Sequence, residues 1–404
     1  MRRAHSGPTD AARAFHLHFT RAPVVQPPLV FLRVGLSRPC ARRRMTSRQG
    51  EERGLTLATG GIRQTLPTVT GFAVKCAIAA LRGRGADPGP LLRRAGLAES
   101  DLDASRRRLS ATAQADFLEY AALTLNDPVF GLHLAEQSNP REVGLLFYAM
   151  SAAENVSDAL KLLMHYCRIV NESVRLKLVR KPDGLIVEPG FFGVSRHRMR
   201  QNAEFQFAIV VKSIREMAGR NVCPTRVACA HARAADVKEL ESFFGCVVDF
   251  AAPMDQIAFS NETLALPLVT EDPHLLETLR PFCEEAARAR NAAQGSMRSA
   301  VENEIQRLLP HGRARVESIT RALGVSPRTL ARRLADEGTN FTDVVDSVRR
   351  SLANQYLHES SFTLGQIGWL LGYEGATSFH HAFRRWTGRS PSLARSDTRL
   401  LAPE

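Results

Sequence analysis

From about Thr65 the apolar positions fall into regular spacings. Phe72, Cys76, Ile78 and Ala79 cluster on one helical face between Gly71 and Leu81, and Gly83-Arg84-Gly85 ends that helix. Pro90 to Ala95 predicts a short helix closed by Gly96. Thr112 to Leu125 carries Ala115, Phe117, Leu118, Ala121, Ala122 and Leu125 at i, i+3, i+4 spacing, stopped by Asn126-Asp127-Pro128. A further helix runs through Leu160, Leu163, Met164 and Cys167, with Asn155 or Ser157 as its cap. The period then changes to two. Ser173 to Arg180 alternates apolar and charged residues, Lys181-Pro182-Asp183-Gly184 supplies a turn, and Leu185 to Glu188 resumes, which predicts a β-hairpin with one buried face. Arg198 to Ala218 reads as a long helix, Asn221 to Ala230 as a strand, and Val237 to Phe244 as a helix ended by Gly245. Val247 to Phe250 and Gln256 to Ser260 read as short strands. Residues 65–268 are therefore expected to form one α+β domain. Asp272-Pro273 starts a helix through Leu276, Leu279 and Phe282 that trails into small and polar residues ending at Gly295, so residues 269–297 read as a helix and linker.

In residues 298–397 one short pattern occurs twice. Val316 to Leu334 and Leu364 to Phe383 each hold an amphipathic helix, a tight turn after a glycine, and a second helix bearing basic residues. That is the layout of a helix-turn-helix. In the first unit Ile319, Leu323 and Val325 are expected to pack against Leu330 and Leu334. Ser326 caps the second helix, and Pro327 fills its first position, where a missing N–H costs nothing. Arg328, Thr329, Arg332 and Arg333 then divide between groove and solvent before Glu337-Gly338 ends the helix. In the second unit Leu364, Ile367 and Leu371 form the buried stripe, Gly368 lets the helices approach, and Phe379, Phe383 and Trp386 complete the core. Thr377, Ser378, His380 and His381 stand near the start of its second helix, where a recognition helix meets base edges. Arg384 and Arg385 follow and suit phosphate contacts. Phe341 to Leu357 reads as a long connecting helix. A plain helical domain with a solvated arginine face shares much of this pattern. Two units about 48 residues apart, with a helix between to space them, favour DNA binding. The fold class is an α+β domain followed by an all-α domain with two helix-turn-helix motifs joined by a long helix.

Charge changes this picture less than its total suggests. The chain of 404 residues carries a formal charge of +13. About +8 of it lies in residues 1–60, about +2 in 61–299 and about +3 in 300–404. Most of the excess is outside the two units, so the placement of individual arginines, not net charge, supports DNA binding. Residues 1–64 show no sustained period, contain Arg42-Arg43-Arg44 and several prolines, and read as a disordered basic extension. An Arg-rich, acid-poor start also resembles an organellar transit peptide, and Met45 offers an alternative start that would remove the first 44 residues. Seven cysteines, odd in number and without a Cys-x-x-Cys pair, favour free thiols in a reducing cytoplasm over a disulfide framework or a metal site. No apolar run reaches the roughly 18–20 residues of a membrane span.

Four stretches carry a family resemblance: Ser326 to Leu334, Ile367 to Tyr373, Ser378-Phe379, and Ala382 to Pro391. On them, residues 298–396 resemble the DNA-binding domain of the AraC/XylS family of bacterial transcription regulators. Phe243 to Phe250 and Asn261 to Leu268, followed by Asp272-Pro273, resemble the arabinose-binding type of sensor domain found in one branch of that family; the name does not establish the ligand. The resemblance implies that Arg328 and Arg332 face bases or backbone in one major groove, and Thr377 and His381 in the next. Three positions depart from the family's habits. His381 stands where Arg is common, which suggests weaker or pH-sensitive reading by the second unit. Thr320 stands where a small Ala usually packs, and Ala394 replaces an aromatic. The first unit is therefore expected to dominate specificity.

The leading expectation is a cytoplasmic transcription regulator that binds double-stranded promoter DNA and is controlled by a small-molecule effector in the middle domain. It works as a homodimer and, if it activates, touches RNA polymerase; no cofactor, metal or membrane is called for. A DNA-tethered enzyme is the alternative, with Cys167 near His165, or Cys223 and Cys229 near His231, as the constellations to test. No nucleophile motif, phosphate loop or metal spacing supports it, and buried core thiols explain these cysteines more simply. A constitutive DNA-binding protein with a vestigial sensor is the third class.

Overall fold

The computed structural model describes residues 66–100, 108–290, 296–358 and 361–400. The basic extension, Met45 and Cys40 lie outside these, as does the end of the expected linker at residues 291–295. The described chain opens with β1 (Thr68–Val69), α1 (Phe72–Gly83) and α2 (Gly89–Ala95), then β2 (Leu109–Ser110), which pairs antiparallel with β1. Three helices follow: α3 (Ala111–Thr124), α4 (Phe130–Gln137) and α5 (Leu145–Ser151). Next come α6 (Val156–Val170), the hairpin β3 (Val174–Lys181) and β4 (Gly184–Phe191), and α7 (Arg200–Ala218). The strands β5 (Arg226–Ala228), β6 (Val248–Asp249) and β7 (Gln256–Ser260) complete a five-stranded sheet in the order β3-β4-β7-β5-β6. Within it only β5 and β6 run parallel, joined by α8 (Val237–Phe244) as the crossover. Helices α9 (Asn261–Leu264) and α10 (Pro273–Arg288) close this half.

Side-chain caps start several of these helices. Asn155 accepts the Asp158 N–H at 3.0 Å, Ser110 caps α3, and Asp272 accepts the Leu275 N–H at 2.8 Å beside Pro273 at the first position of α10. Several elements differ from the expected pattern. The strand expected from Asn221 to Ala230 shrinks to Arg226–Ala228, because Pro224 has no N–H to give a ladder and the Val222 carbonyl is taken by Arg215 Nε at 2.8 Å. The helix expected from Arg198 begins at Arg200, after a separate 3-10 turn over Arg196–Arg198. Helix α4 has no counterpart in the pattern, since Phe130, Gly131, Leu132, Leu134 and Ala135 are all buried and leave too narrow a polar face for an amphipathic period.

The C-terminal half is helical: α11 (Met297–Leu308), α12 (Val316–Leu323), α13 (Pro327–Asp336), α14 (Phe341–His358), α15 (Leu364–Leu370), α16 (Ala376–Thr387) and α17 (Pro391–Leu400). The described residues belong to one compact unit with two separate apolar cores. The first joins helices α1 to α8 and the sheet, and ends at Cys283 on α10. The second joins α11 to α16 around Val301, Ile319, Leu334, Val348, Ile367 and Phe379, and takes in Ala232 from the first half. Among the described residues no helix is long and apolar enough to cross a membrane.

Candidate nucleic-acid interface and internal cavity

Both repeats fold as helix, turn, helix. In the first, Gly324 takes a left-handed φ of 65° after α12, a conformation that a side chain would oppose. Ser326 Oγ accepts the Thr329 N–H at 3.1 Å and Pro327 fills the first position of α13. Ile319, Leu330 and Leu334 are buried, with Leu323 and Val325 half-buried beside them. In the second, Thr363 and Gln366 form a reciprocal capping box on α15. A Cβ at Gly368 would lie 3.4 Å from both the Gly375 carbonyl oxygen and Phe379 Cβ, so the two helices meet where the glycine is. Ile367, Leu371, Phe379 and Phe383 are buried in the shared core. Helix α14 joins the units and, at about 1.5 Å per residue, spans about 27 Å.

The burial of these cores fixes what each second helix leaves outside. Arg328, Arg332 and Arg333 are exposed on α13, and the 328/332 spacing of four puts those two guanidiniums on one stripe. Thr329 is half-buried, with its hydroxyl 2.9 Å from Ser326 Oγ, so it serves the cap. On α16, Thr377, Ser378, His381 and Arg384 are exposed, and His380 is half-buried. Arg385 is exposed too, but pairs with Asp346 of α14 at 3.1 Å. Two of the three positions that depart from the resemblance, Thr320 and Ala394, are accommodated locally. Thr320 is buried and its hydroxyl donates to the Glu317 carbonyl at 3.2 Å; Ala394 is half-buried against the second core.

Inside the first core lies a cavity of about 150 Å³. It is walled by α1, α3, α5, α6, α7 and the sheet, from Val69 to Ile257. None of its lining residues is an acid, a lysine, an arginine or a histidine. Its polar lining includes Gln114 and Asn202, both buried, and Gln206. Gln114 Nε2 donates to Asn202 Oδ1 at 3.0 Å. Sequence reasoning did not reach this cavity.

A second feature escaped it as well. The segment between β4 and α7 reaches across to the C-terminal helices. Asn303 of α11 donates to the carbonyls of Phe191 (3.1 Å) and Val194 (3.4 Å) and accepts the Arg196 N–H at 2.7 Å. Ser195 Oγ bonds Glu302, and Gln355 of α14 donates to the His197 carbonyl at 2.7 Å. A cleft of about 390 Å³ opens beside these contacts, lined by Phe191, Arg196, Asp255, Asn303 and Leu323 among others. Pro189 of β4 lines both this cleft and the internal cavity.

Beneath the segment is a buried ion network. Arg196 gives two bonds of 2.6 Å to Asp255 and one of 3.0 Å to His231 Nδ1, while His231 Nε2 donates to Glu204 at 2.7 Å, with Arg233 on the same carboxylate. Burial favours the neutral imidazole, and although Glu204 opposes this, Arg196 and Arg233 reinforce it, holding His231 down to about 4. Glu204 is buried too, which by itself would raise its carboxyl, but Arg233 and His231 keep it well below the usual range. Cys229, His231 and Asp255 lie within 4.8 Å of one another, a spacing that suits a metal. The Asp255 and His231 atoms are already committed to arginine and glutamate, and two guanidiniums beside them would repel a cation. Cys229 is the thiol that the structure brings to His231, and burial pushes it far up, the opposite of an activated nucleophile. Cys167 is buried and donates to the carbonyls of Met164 (3.8 Å) and Val174 (3.6 Å), while His165 is exposed against Glu284 at 3.5 Å. All six cysteines among the described residues are free.

Comparison with known proteins agrees with this geometry. Residues 85–268 match the family model of the arabinose-binding domain of AraC transcription regulator, N-terminal, and residues 319–397 match a helix-turn-helix domain. The chain belongs to the AraC family. This AraC-family regulator is 28% identical over 303 residues to the ornithine utilization regulator of Pseudomonas aeruginosa, covering 72% of this chain and 85% of that one. It is 26% identical over 323 residues to the transcriptional regulator VirS of Mycobacterium tuberculosis, covering 78% and 93%. Among solved structures it is similar to the transcriptional regulator CdpR of Pseudomonas aeruginosa, at a TM-score of 0.41 and 23% identity, over 80% of this chain and 98% of that one. It is a DNA-binding transcription regulator with an α+β N-terminal domain and a helical helix-turn-helix domain.

Proposed function

We propose that this AraC-family regulator reads double-stranded promoter DNA with residues 298–397 and responds to a small molecule held in the cavity of residues 65–268. The reading helices are α13 and α16. Arg328 and Arg332 contact base edges in one major groove, and Thr377 and His381 do so in the next. Arg333, Ser378, His380, Arg384 and Arg385 position the helices on phosphates, and Thr329 holds the cap that aims α13. The observation that carries the reading is the exposed Arg328/Arg332 stripe on a helix whose other side is buried as a core, repeated in form by α16 at the far end of α14. A homodimer places two such pairs on an operator, and an activating complex also touches RNA polymerase.

The test is selection of operator sequences from a random DNA pool, followed by titration of Arg332→Ala. Loss of about 1–3 kcal/mol on the selected site, with relaxed preference at one base position, is expected. A uniform loss on every sequence would make Arg332 a phosphate contact. Selection of unpaired half-sites would remove the homodimer.

A further inference from the structure

The internal cavity is built for one chemical class. We infer that it takes an uncharged, mainly apolar molecule carrying a single hydroxyl or carboxamide head, with the head seated on the Gln114–Asn202 amide pair. The inference rests on the reading of this cavity as the effector site.

Charge is excluded by the walls. An ionised ligand would lose its hydration with no lysine, arginine, histidine or acid lining the space to pair with it. A sugar fits no better. Each of its hydroxyls needs a partner, and one left unmatched gives up its hydration with nothing in return. Two of the polar lining groups are already used: Asn171 Oδ1 accepts from the Ser173 N–H at 2.9 Å and its hydroxyl at 2.6 Å, and Ser213 Oγ donates to the Ile209 carbonyl at 2.6 Å. Thr70 and Gln206 add two polar side chains to the lining, and most of the remaining wall is aliphatic or aromatic, such as Phe147 and Val187.

The amide pair defines the head. One hydrogen bond between two carboxamides uses one N–H and one carbonyl. Whichever way the amides are turned, the pair retains an oxygen that accepts and an NH2 that donates. A hydroxyl or carboxamide, which both donates and accepts, matches that pair; an alkane or a carboxylate does not. The volume sets the body, since an engineered apolar cavity of about the same size holds benzene. A benzene-sized ring or a short alkyl chain fills the space as it stands.

The test is thermal unfolding of the full chain with hexanamide, benzyl alcohol, toluene, hexanoate or arabinose, in wild type, Ala73→Phe and Gln114→Leu. Ala73 is buried on α1 and lines the cavity, so a phenyl ring there fills it. Hexanamide and benzyl alcohol should raise Tm in wild type, while hexanoate and arabinose at the same concentration should not. Ala73→Phe should cancel the shifts. Gln114→Leu should weaken hexanamide about tenfold and leave toluene unchanged, a pattern that stands on its own if Ala73→Phe does not fold. Stabilisation by hexanoate or arabinose that Ala73→Phe cancels would overturn the ligand class and leave the cavity as the effector site. A hexanamide shift that persists in a folded Ala73→Phe would place binding elsewhere and overturn the site itself. The absence of a shift with either neutral probe also overturns the class.

Discussion

Acid should weaken this fold through His197. Its side chain is buried in the segment that touches the C-terminal helices, and Nδ1 has no hydrogen-bond partner. Burial, followed by the charges of Arg198, Arg298 and Arg196, pushes the imidazole from its ordinary 6.5 down to about 3. An unfolded chain therefore takes up a proton near pH 6.5 that the folded chain refuses until about pH 3. Between those values the unfolded state binds more protons, so stability is fully present above about 6.5 and is lost as pH falls toward about 3. One pKa unit is worth about 1.4 kcal/mol, so at pH 5, about 1.5 units below 6.5, His197 accounts for a loss of about 2 kcal/mol. His231, held to about 4, loses stability over the same interval. Asp116 and Glu119, both raised by burial, act in the opposite direction. The useful quantity is therefore a difference. His197→Phe keeps a planar ring of similar volume, and keeps the backbone carbonyl that Gln355 binds, but has no proton to take up. Urea unfolding at pH 7 and pH 5 should show a loss about 2 kcal/mol smaller in the variant than in wild type. Equal losses in the two proteins would refute the assignment of the shift to His197.

Three further outcomes are expected. Arg384→Ala should lower the slope of log affinity against log salt by about 1 with little change in sequence preference, and Arg385→Ala should lower it less, because Asp346 already neutralises that side chain. Ser326→Ala should cost about 1 kcal/mol in thermal or urea unfolding by leaving the first turn of α13 uncapped. Asn303→Ala removes three hydrogen bonds to the β4–α7 segment. DNA titrations with and without saturating hexanamide should then show a smaller ligand effect than in wild type, while binding of each partner alone persists.

The parts of this molecule that could be read from its sequence are those whose chemistry is local. Ser326-Pro327 and Gly324 act within a few residues of one another, so the second helix of the first unit and its exposed face follow from spacing alone. The cavity is not local: its wall runs from Val69 to Ile257, and nothing in the periods of α1, α3 and α7 says that Ala73, Gln114 and Asn202 converge. The bridge at Asn303 was hidden for a different reason. Its partners are backbone groups of Phe191, Val194 and Arg196, which every residue type offers. Arg196, Glu204, Arg233 and Asp255 gave a weak signal, as charges set in or beside apolar segments. Their mutual pairing, across as many as 59 residues, is a property of the packed interior.

Pro189 has a wall in each of the two spaces, and the strand that carries it continues into the segment gripped by Asn303 and Gln355. Linkage makes any coupling between the cavity and the DNA-reading helices run both ways. If filling the cavity changes affinity for an operator by some factor, then occupying the operator must change affinity for the small molecule by the same factor, commonly about 5- to 150-fold. On the function proposed above, the promoter would then act as an effector in its own right. A molecule of this regulator on its operator and one free of DNA would respond at different ligand concentrations, and a ligand titration run only on the free protein would misstate the threshold at which the promoter switches.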